Sequence, residues 1–95
     1  MTTETFDGVL LSGHKQDAVE LPFDPATRWN VRPAALWPGR RGHRVAGSVN
    51  GAAFASCVVA RSKRHFLLIE DDVREQAHAA VGDTVRVVLH PAPSP

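Results

Sequence analysis

The sequence predicts a mainly β fold: a small, partly closed β-barrel of five to six strands with one short helix before the last strand. Three observations predict it. Short apolar stretches recur between turn residues along the 95-residue chain, and several alternate with period two. A clear helical pattern occurs just before the last of these stretches. A chain this short holds one modest core, and closing the sheet hides strand edges that it could not otherwise cover.

The first two strands lie in the N-terminal quarter of the chain. The segment "TFDGVLLS" alternates in the manner of a half-buried strand. In "AVELPF", Val19, Leu21 and Phe23 share one face, and Pro22 favours an edge position. Asp24 before Pro25 is typical of an N-cap followed by proline at the first helical position, so a short helix over "PATRWN" is predicted.

A long irregular connection runs from Asp24 to His43, and prolines and glycines interrupt any period in it. Connections of this length in small domains are often lids or binding loops. Both tryptophans of the chain, Trp29 and Trp37, lie here. Either they plug an open end of the core, or they form an aromatic wall for a ligand.

The clearest local signal is "RVAGSVNGAAFASCVVA", which predicts two strands joined by a type I′ turn at Asn50 and Gly51. In that register Gly47 faces Phe54, where no second side chain competes for the space. Both faces of the hairpin are mostly apolar, so we expect a helix, a loop or a partner chain to cover the second face. A homodimer is one way to supply that cover.

The C-terminal third supplies two more strands and the helix. "RSKR" predicts a turn and "HFLLIE" a buried strand. Asp72 and Glu75 match a capping box that opens a helix of about ten residues. "GDTVRVVLH" predicts the last strand. The expected organisation is a single domain over residues 1–90 and a disordered, proline-rich tail over residues 91–95.

Charge is divided along the chain although the net charge is only +1. No Asp or Glu occurs between Pro25 and Ile69, a segment that carries eight Arg and Lys residues. Folding either interleaves this segment with the acidic flanks, or leaves a basic face suited to an anion, a nucleic acid or an acidic partner surface.

Several classes of protein are disfavoured by composition. No apolar run is long enough to cross a bilayer and the start lacks a signal-peptide pattern, so we expect a cytoplasmic protein without a membrane partner. Cys57 is the single cysteine, which excludes an internal disulfide, and its apolar neighbours predict a buried side chain.

The order of these segments resembles a known family. "FDGVL", a strand ending in "LP", "RVAGSVNGAAF", "FLLIEDDVREQA" and "VGDTVRVVL" together resemble the small bacterial β-barrel domain of unknown function found alone or in YdeI/OmpD-associated (bacteriocin-protection) proteins. The resemblance spans Phe6 to Leu89. It implies a partly closed barrel with one helix and no assigned catalytic residues. The tryptophan-rich loop from Arg28 to Gly42 and the "RSKRH" turn depart from the pattern.

No catalytic, phosphate-binding or metal-binding motif is present. The five histidines lie on separate elements, so no metal site and no cofactor are predicted. The histidines are His14, His43, His65, His78 and His90. A Ser56 nucleophile paired with His43 or His65 is disfavoured, because spacing shows neither an oriented base nor an oxyanion hole.

The function predicted first is a non-catalytic binding module for a small-molecule or anionic ligand at the barrel mouth. The residues predicted to bind it are Trp29, Trp37, Arg44, Arg61 and His65. One alternative is a small, cyclase-like barrel enzyme that acts by orienting a bound substrate. The other is a nucleic-acid or protein-binding module in which Arg40, Arg41, Lys63 and Arg64 contact phosphates or other anions.

Overall fold

The computed structural model describes residues 3–13 and 16–92, which form seven strands and two short helices. The strands are β1 (Glu4–Leu11), β2 (Asp17–Glu20), β3 (Ala34–Trp37), β4 (Arg40–Val49), β5 (Ala52–Arg61), β6 (Arg64–Ile69) and β7 (Thr84–Pro91). The helices are α1 (Pro25–Trp29) and α2 (Asp71–Gln76).

Six of the strands close into an antiparallel barrel. The order is β4, β5, β6, β2, β1 and β7, and β7 pairs with β4 to complete the ring, while β3 adds to β4 outside it. The predicted mainly β barrel is therefore confirmed, with complete closure and a second short helix. Because every barrel strand has a neighbour on both sides, the ring leaves no long exposed edge for another chain to pair with.

Barrel closure depends on Gly47. Val45–Val49 of β4 pair with β7, and Gly47 lies opposite Leu89 at this seam. A Cβ atom on residue 47 would overlap the carbonyl oxygen of Val88. The two backbones can approach to pairing distance only because residue 47 has no side chain.

The predicted β4–β5 hairpin and its register are confirmed. Asn50 and Gly51 have φ angles of 49° and 85°, as a type I′ turn requires. Gly47 lies opposite Phe54, but the reason for the glycine is the β7 backbone and not space for the ring. The second face of the hairpin is formed by small side chains, and the homodimer stays a prediction.

The barrel interior is filled by apolar side chains from all six strands. The most buried are Leu10, Val19, Val45, Val49, Val58, Leu67, Ile69, Val85, Val87 and Leu89, each no more than 2% exposed. Side chains fill a barrel of this size, as they do in other narrow barrels. The centre of the barrel is thus a packed core.

The two helices close opposite ends of the barrel. Trp29 of α1 is buried and packs edge-on against Phe23, which in turn packs against Phe6 at the start of β1. At the other end, α2 and the residue after it bury Val73 and Ala77 in the same core. Trp29 therefore plugs one end of the core, which was one of the two roles predicted for it.

Helix α1 follows the prediction, whereas α2 differs from it. The Asp24 carboxylate accepts a hydrogen bond of 2.9 Å from the Ala26 amide, and Pro25 opens α1. The predicted capping box of α2 is wrong: Glu70 is the N-cap, and the Asp72 carboxylate accepts from the next amide, that of Val73. The helix has six residues instead of about ten, and His78, with φ of 53°, turns the chain out of it.

The irregular connection contains an additional strand, β3, which sequence reasoning missed. Pro38 and Gly39 turn β3 back onto the start of β4, and Gly39 has φ of 82°. Four residues between Pro33 and Pro38 are too few to show alternation, so the pattern gave no strand signal there.

Strand β7 runs to Pro91, and the Ala92 amide donates a hydrogen bond of 2.9 Å to the Arg44 carbonyl oxygen. Residues 93–95 of the predicted tail lie outside the described residues. The division into a domain over residues 1–90 and a tail stays a prediction.

Substituting Gly47→Ala is expected to destabilise the domain by about 3 kcal/mol, because the added methyl overlaps the Val88 carbonyl at the closing seam. Urea unfolding followed by circular dichroism measures the change. Ser48→Ala, on the same strand, is the matched control and should shift stability by less than about 0.5 kcal/mol. A Gly47→Ala protein as stable as the control would contradict this role of the seam.

Substituting Trp29→Ala is expected to cost about 4 kcal/mol, because it opens a cavity where α1 closes the barrel. The indole N–H of Trp29 is buried without a hydrogen-bond partner, so Trp29→Phe removes an unsatisfied donor while keeping an aromatic ring. We expect Trp29→Phe to cost less than about 1.5 kcal/mol. Equal losses for the two variants in urea unfolding would show that the ring does not fill this end.

Candidate functional site

A cleft lies on the outer wall of the barrel. Its volume is about 500 Å³. Its floor is the outward face of β5, β6, β2 and β1, and its walls are the β3–β4 turn on one side and the start of the β1–β2 connection on the other. The lining residues are Leu11, Ser12, Gly13, Gln16, Ala18, Trp37, Arg40, Val59, Arg61, Phe66 and Leu68.

Strand register explains why these side chains meet. Val59 of β5 pairs with Phe66 of β6, and Ala18 of β2 pairs with both Leu68 and Leu11. Paired residues point to the same face of a sheet, since side chains alternate between faces along each strand. The outward residues of four strands thereby form a continuous apolar floor.

Two arginines stand at one edge of this floor. Pairing of β4 with β5 ends at Gly42 and Val59. Arg40 and Arg61 lie two residues beyond this pair on their strands, and both line the cleft. The Arg40 guanidinium donates a hydrogen bond of 2.9 Å to the Ala60 carbonyl oxygen. Neither arginine forms an ion pair with a described carboxylate within 4 Å. The pair is therefore a local concentration of positive charge.

Gly42 lets β3 fold over the outer wall. A Cβ atom on residue 42 would overlap the Val58 carbonyl oxygen and would lie 2.8 Å from Leu36 Cδ1. The Leu36 side chain consequently occupies the space above Gly42. This contact, together with the tight turn at Pro38 and Gly39, places Trp37 at the side of the cleft.

The structure separates the two tryptophans. Trp37 is 47% exposed and lines the cleft, whereas Trp29 is 8% exposed and belongs to the core at the α1 end. An indole beside an apolar floor is suited to cover a bound apolar group. Of the two, Trp37 alone has access to the cleft.

The five residues predicted to bind a ligand do not meet at a barrel mouth. Trp37 and Arg61 share the outer cleft. Arg44 donates a hydrogen bond of 3.3 Å to the Leu36 carbonyl oxygen and so holds β3 in place. His65 lies at the start of β6, with its Nε2 atom 3.6 Å from the Asp24 carboxylate, at the end closed by α1. Core side chains fill the barrel, so it has no open mouth at which these five residues could line a shared site.

The alternative set of anion contacts is also divided. Arg41 donates to the Pro33 carbonyl oxygen at 3.0 Å, and Arg40 reaches the cleft. Lys63 lies in the β5–β6 turn. Arg64 is bound to Glu20 by two hydrogen bonds, and these hold the pKa of the Glu20 carboxyl below its ordinary value. Arg64 also lies over the Phe66 ring, 5.6 Å from its centre.

Folding neutralises only part of the basic central segment. The ion pairs of arginine among the described residues are Glu4–Arg28, Glu20–Arg64, Asp17–Arg74, Asp71–Arg74 and Asp7–Arg86. Cations of the central segment without a described carboxylate partner are Arg32, Arg40, Arg41, Arg44, Arg61 and Lys63. They lie on β4, on the connection that leads to β3 and around the β5–β6 turn. A basic surface therefore remains around the β3–β4 hairpin and the β5–β6 turn.

Groups that could act in catalysis are engaged elsewhere. The Ser56 hydroxyl donates a hydrogen bond of 2.6 Å to the Leu68 carbonyl oxygen, and His43 Nε2 lies 2.9 Å from the Val31 carbonyl oxygen. The structure thus does not pair Ser56 with His43. Burial raises the pKa of the half-buried Cys57 thiol, and nearby Arg44 lowers it by less, so the thiolate is disfavoured at neutral pH.

Two further properties concern only residues 3–13 and 16–92. No three metal-ligating side chains come together in a group that could hold a metal ion. Nor does either helix have the length and apolar character needed to cross a membrane.

Sequence reasoning missed most of the cleft floor. Leu11, Val59, Phe66 and Leu68 were assigned to strands, but nothing in a single strand shows that its outward residues will meet those of three others. A usable signal was present in Phe66 and Leu68, because they make "HFLLIE" apolar on both faces. Such a strand needs cover on its second face.

Comparison with known proteins completes the description of the chain. None of the curated proteins matches it. A family model described as "Domain of unknown function (DUF1905)" matches residues 6–89, which agrees with the resemblance stated above in both its extent and its lack of an assigned function. The association with YdeI/OmpD-like proteins stays a prediction. The match covers all seven strands and both helices, apart from the first two residues of β1 and the last two of β7. The chain therefore belongs to this family, the domain of unknown function DUF1905.

Proposed function

We propose that the domain is a non-catalytic binding module that holds a small ligand, with an apolar body and an anionic group, in the cleft on the outer wall of the barrel. The observation that carries this proposal is the juxtaposition of Arg40 and Arg61 at the edge of an apolar floor. The described lining of the cleft includes no carboxylate.

Electrostatics favours an anion at this edge. Arg40 and Arg61 line one cleft without a described carboxylate near either of them, so their like charges are not offset there. A carboxylate between the two guanidinium groups would accept charge-assisted, bidentate hydrogen bonds. The Arg61 side chain forms no hydrogen bond among the described residues, so its donors are available without breaking an existing contact.

The floor and wall favour an apolar body. Val59, Phe66 and Leu68 present carbon surface beside the arginines, and Trp37 stands over it. Clefts that bind small molecules are mostly apolar with a few placed polar groups, and their volumes start at about 300 Å³. The volume of about 500 Å³ found here lies within that class.

Binding is favoured over catalysis by the chemistry of the lining. Among its described residues there is no Asp, Glu, His, Cys or Lys, and hence no group that readily takes or gives a proton near neutral pH. The cyclase-like alternative needs only orientation of a substrate. It would use the same cleft, and formation of a product from a bound ligand would distinguish it from a binding module.

Binding should require the anionic group of the ligand. We expect 2-naphthoate and decanoate to bind, and the alcohols and amines with the same carbon skeletons to bind at least tenfold more weakly. Titration calorimetry measures binding directly. Trp37 emission in a Trp29→Phe background, in a chain without tyrosine, reports occupation of the cleft.

Substituting Arg61→Gln should weaken binding of both carboxylates about tenfold or more without loss of stability, because Arg61 makes no described contact to lose. Arg32→Gln is the matched control, since Arg32 is also exposed and without a described carboxylate partner but lies outside the cleft. Equal affinities for the two variants, or no binding by the parent protein, would overturn the proposal.

Single-stranded nucleic acid is the second candidate. It is favoured by the exposed Trp37 indole beside Arg40 and Arg41, two of the six cations without a described carboxylate partner. Phosphates would contact the cations, and a base would stack on the indole. Affinity for an oligonucleotide should then fall steeply between 50 mM and 200 mM salt. Binding that is absent at low salt, or that survives substitution of Arg40 and Arg41 together with glutamine, would exclude this candidate.

A further inference from the structure

The cleft is elongated and is polar at both ends. It begins at Arg40 and Arg61, crosses the outward faces of β5, β6, β2 and β1, and ends at Ser12, Gly13 and Gln16. We infer that the ligand is an unbranched acyl carboxylate that lies diagonally across the strands, with its carboxylate between the two arginines. This inference rests on the proposed function and names the class of ligand for the same cleft.

The number of strands crossed and the offset between their residue rows set the length of the ligand. From β5 to β1 there are three inter-strand steps, each about 4.8 Å, which gives about 14 Å across the strands. Val59 pairs with Phe66, whereas Ala18 and Leu11 lie in the row of Leu68, two residues further along β6. This offset adds about 7 Å along the strands, so the diagonal path is about 16 Å. A fully extended chain advances roughly 3.5 Å for every three single bonds, so about fourteen bonds span the floor, which corresponds to dodecanoate or tetradecanoate.

The order of side chains along the cleft matches such a ligand. After the arginines come Val59 and Phe66, then Leu68 and Ala18, and finally Leu11. Every position between the two polar ends is apolar. A straight chain places a methylene on each of these side chains in turn, whereas a single aromatic ring beside the arginines would leave Ala18 and Leu11 uncovered. The described lining residues at the far end, Ser12, Gly13 and Gln16, are polar and uncharged.

Side chains at both ends of the apolar stretch are exposed: Leu11 is 38% and Trp37 47% exposed. Between them Phe66 and Leu68 are half-buried, and Val59 and Ala18 are buried at the base of the cleft.

A second copy of the domain is disfavoured as the occupant, because it would have to bring a carboxylate to Arg40 and Arg61 beside an apolar chain of the same length. The outward face of β1 has an exposed apolar residue, Val9, next to a carboxylate, Asp7. That carboxylate is already bound to Arg86 and so is not free to make this contact.

A series of straight-chain carboxylates tests the inference. Hexanoate, octanoate, decanoate, dodecanoate, tetradecanoate and hexadecanoate are titrated below their micelle-forming concentrations, with Trp37 emission in the Trp29→Phe background and calorimetry as readouts. Affinity is expected to rise about threefold per methylene up to dodecanoate or tetradecanoate. Beyond tetradecanoate it should stay constant or fall, since additional methylenes leave the floor.

A variant at the far end separates chain length from charge. Leu11→Ser should weaken dodecanoate binding about tenfold and leave hexanoate unchanged, because only the longer chain reaches β1. Val9→Ser is the matched control: Val9 is on the same strand and face and similarly exposed at 45%, but it lies outside the cleft.

Two results would overturn the inference, and they differ in what they leave standing. If 2-naphthoate binds in an Arg61-dependent manner but the series shows no chain-length optimum, or Leu11→Ser affects hexanoate and dodecanoate equally, the acyl chain is excluded and anion binding stands. If neither 2-naphthoate nor any member of the series binds, the proposed function fails as well.

Discussion

The structure depends on how strand β4 divides its hydrogen bonds. Its second half pairs with β7 and closes the barrel, which Gly47 allows by leaving space for the Val88 carbonyl. Its first half cannot also pair with β7, and there β3 takes the free edge. Closure of the ring and the overhanging β3–β4 hairpin are thus two results of one strand changing its partner. Without that change the outer wall would have no Trp37 beside it.

The packed centre of the barrel explains why the candidate cleft lies outside the ring. In a barrel of six strands the inward side chains are enough to fill the centre, and α1 and α2 bury further side chains at the two ends. No room is left for a ligand along the axis. Where the outward faces of β5, β6, β2 and β1 line the cleft they are apolar apart from Arg61, whereas the same strands carry polar outward residues elsewhere. A contiguous apolar patch on the outside of a domain is a feature of interaction sites.

Most of the fold followed from the sequence, because its signals are local. The Asn50–Gly51 turn fixes the register of β4 and β5, and alternation identified β1 and β7. The cleft did not follow in the same way. Trp37 and Arg61 were singled out, but Trp29 and His65 were grouped with them although they lie at the end closed by α1. Pairing across four strands decides which outward residues become neighbours, and a single strand does not show that pairing. Helix α2 was predicted too long because its apolar spacing continues past His78, whose left-handed conformation ends the helix and cannot be read from that spacing.

The pairing of β1 with β7 has a consequence for how the chain reaches its native state. Glu4 lies opposite Leu89, so the first and last strands are neighbours and β7 borders both β1 and β4. Until β7 is in place, these two strands present open edges and the inward face of the sheet is incompletely covered. Contacts between distant parts of a chain form slowly, because a long loop must close before they give any stabilisation. Closure of this small barrel therefore requires β7, and a barrel without β7 would leave the edges of β1 and β4 open to aggregation.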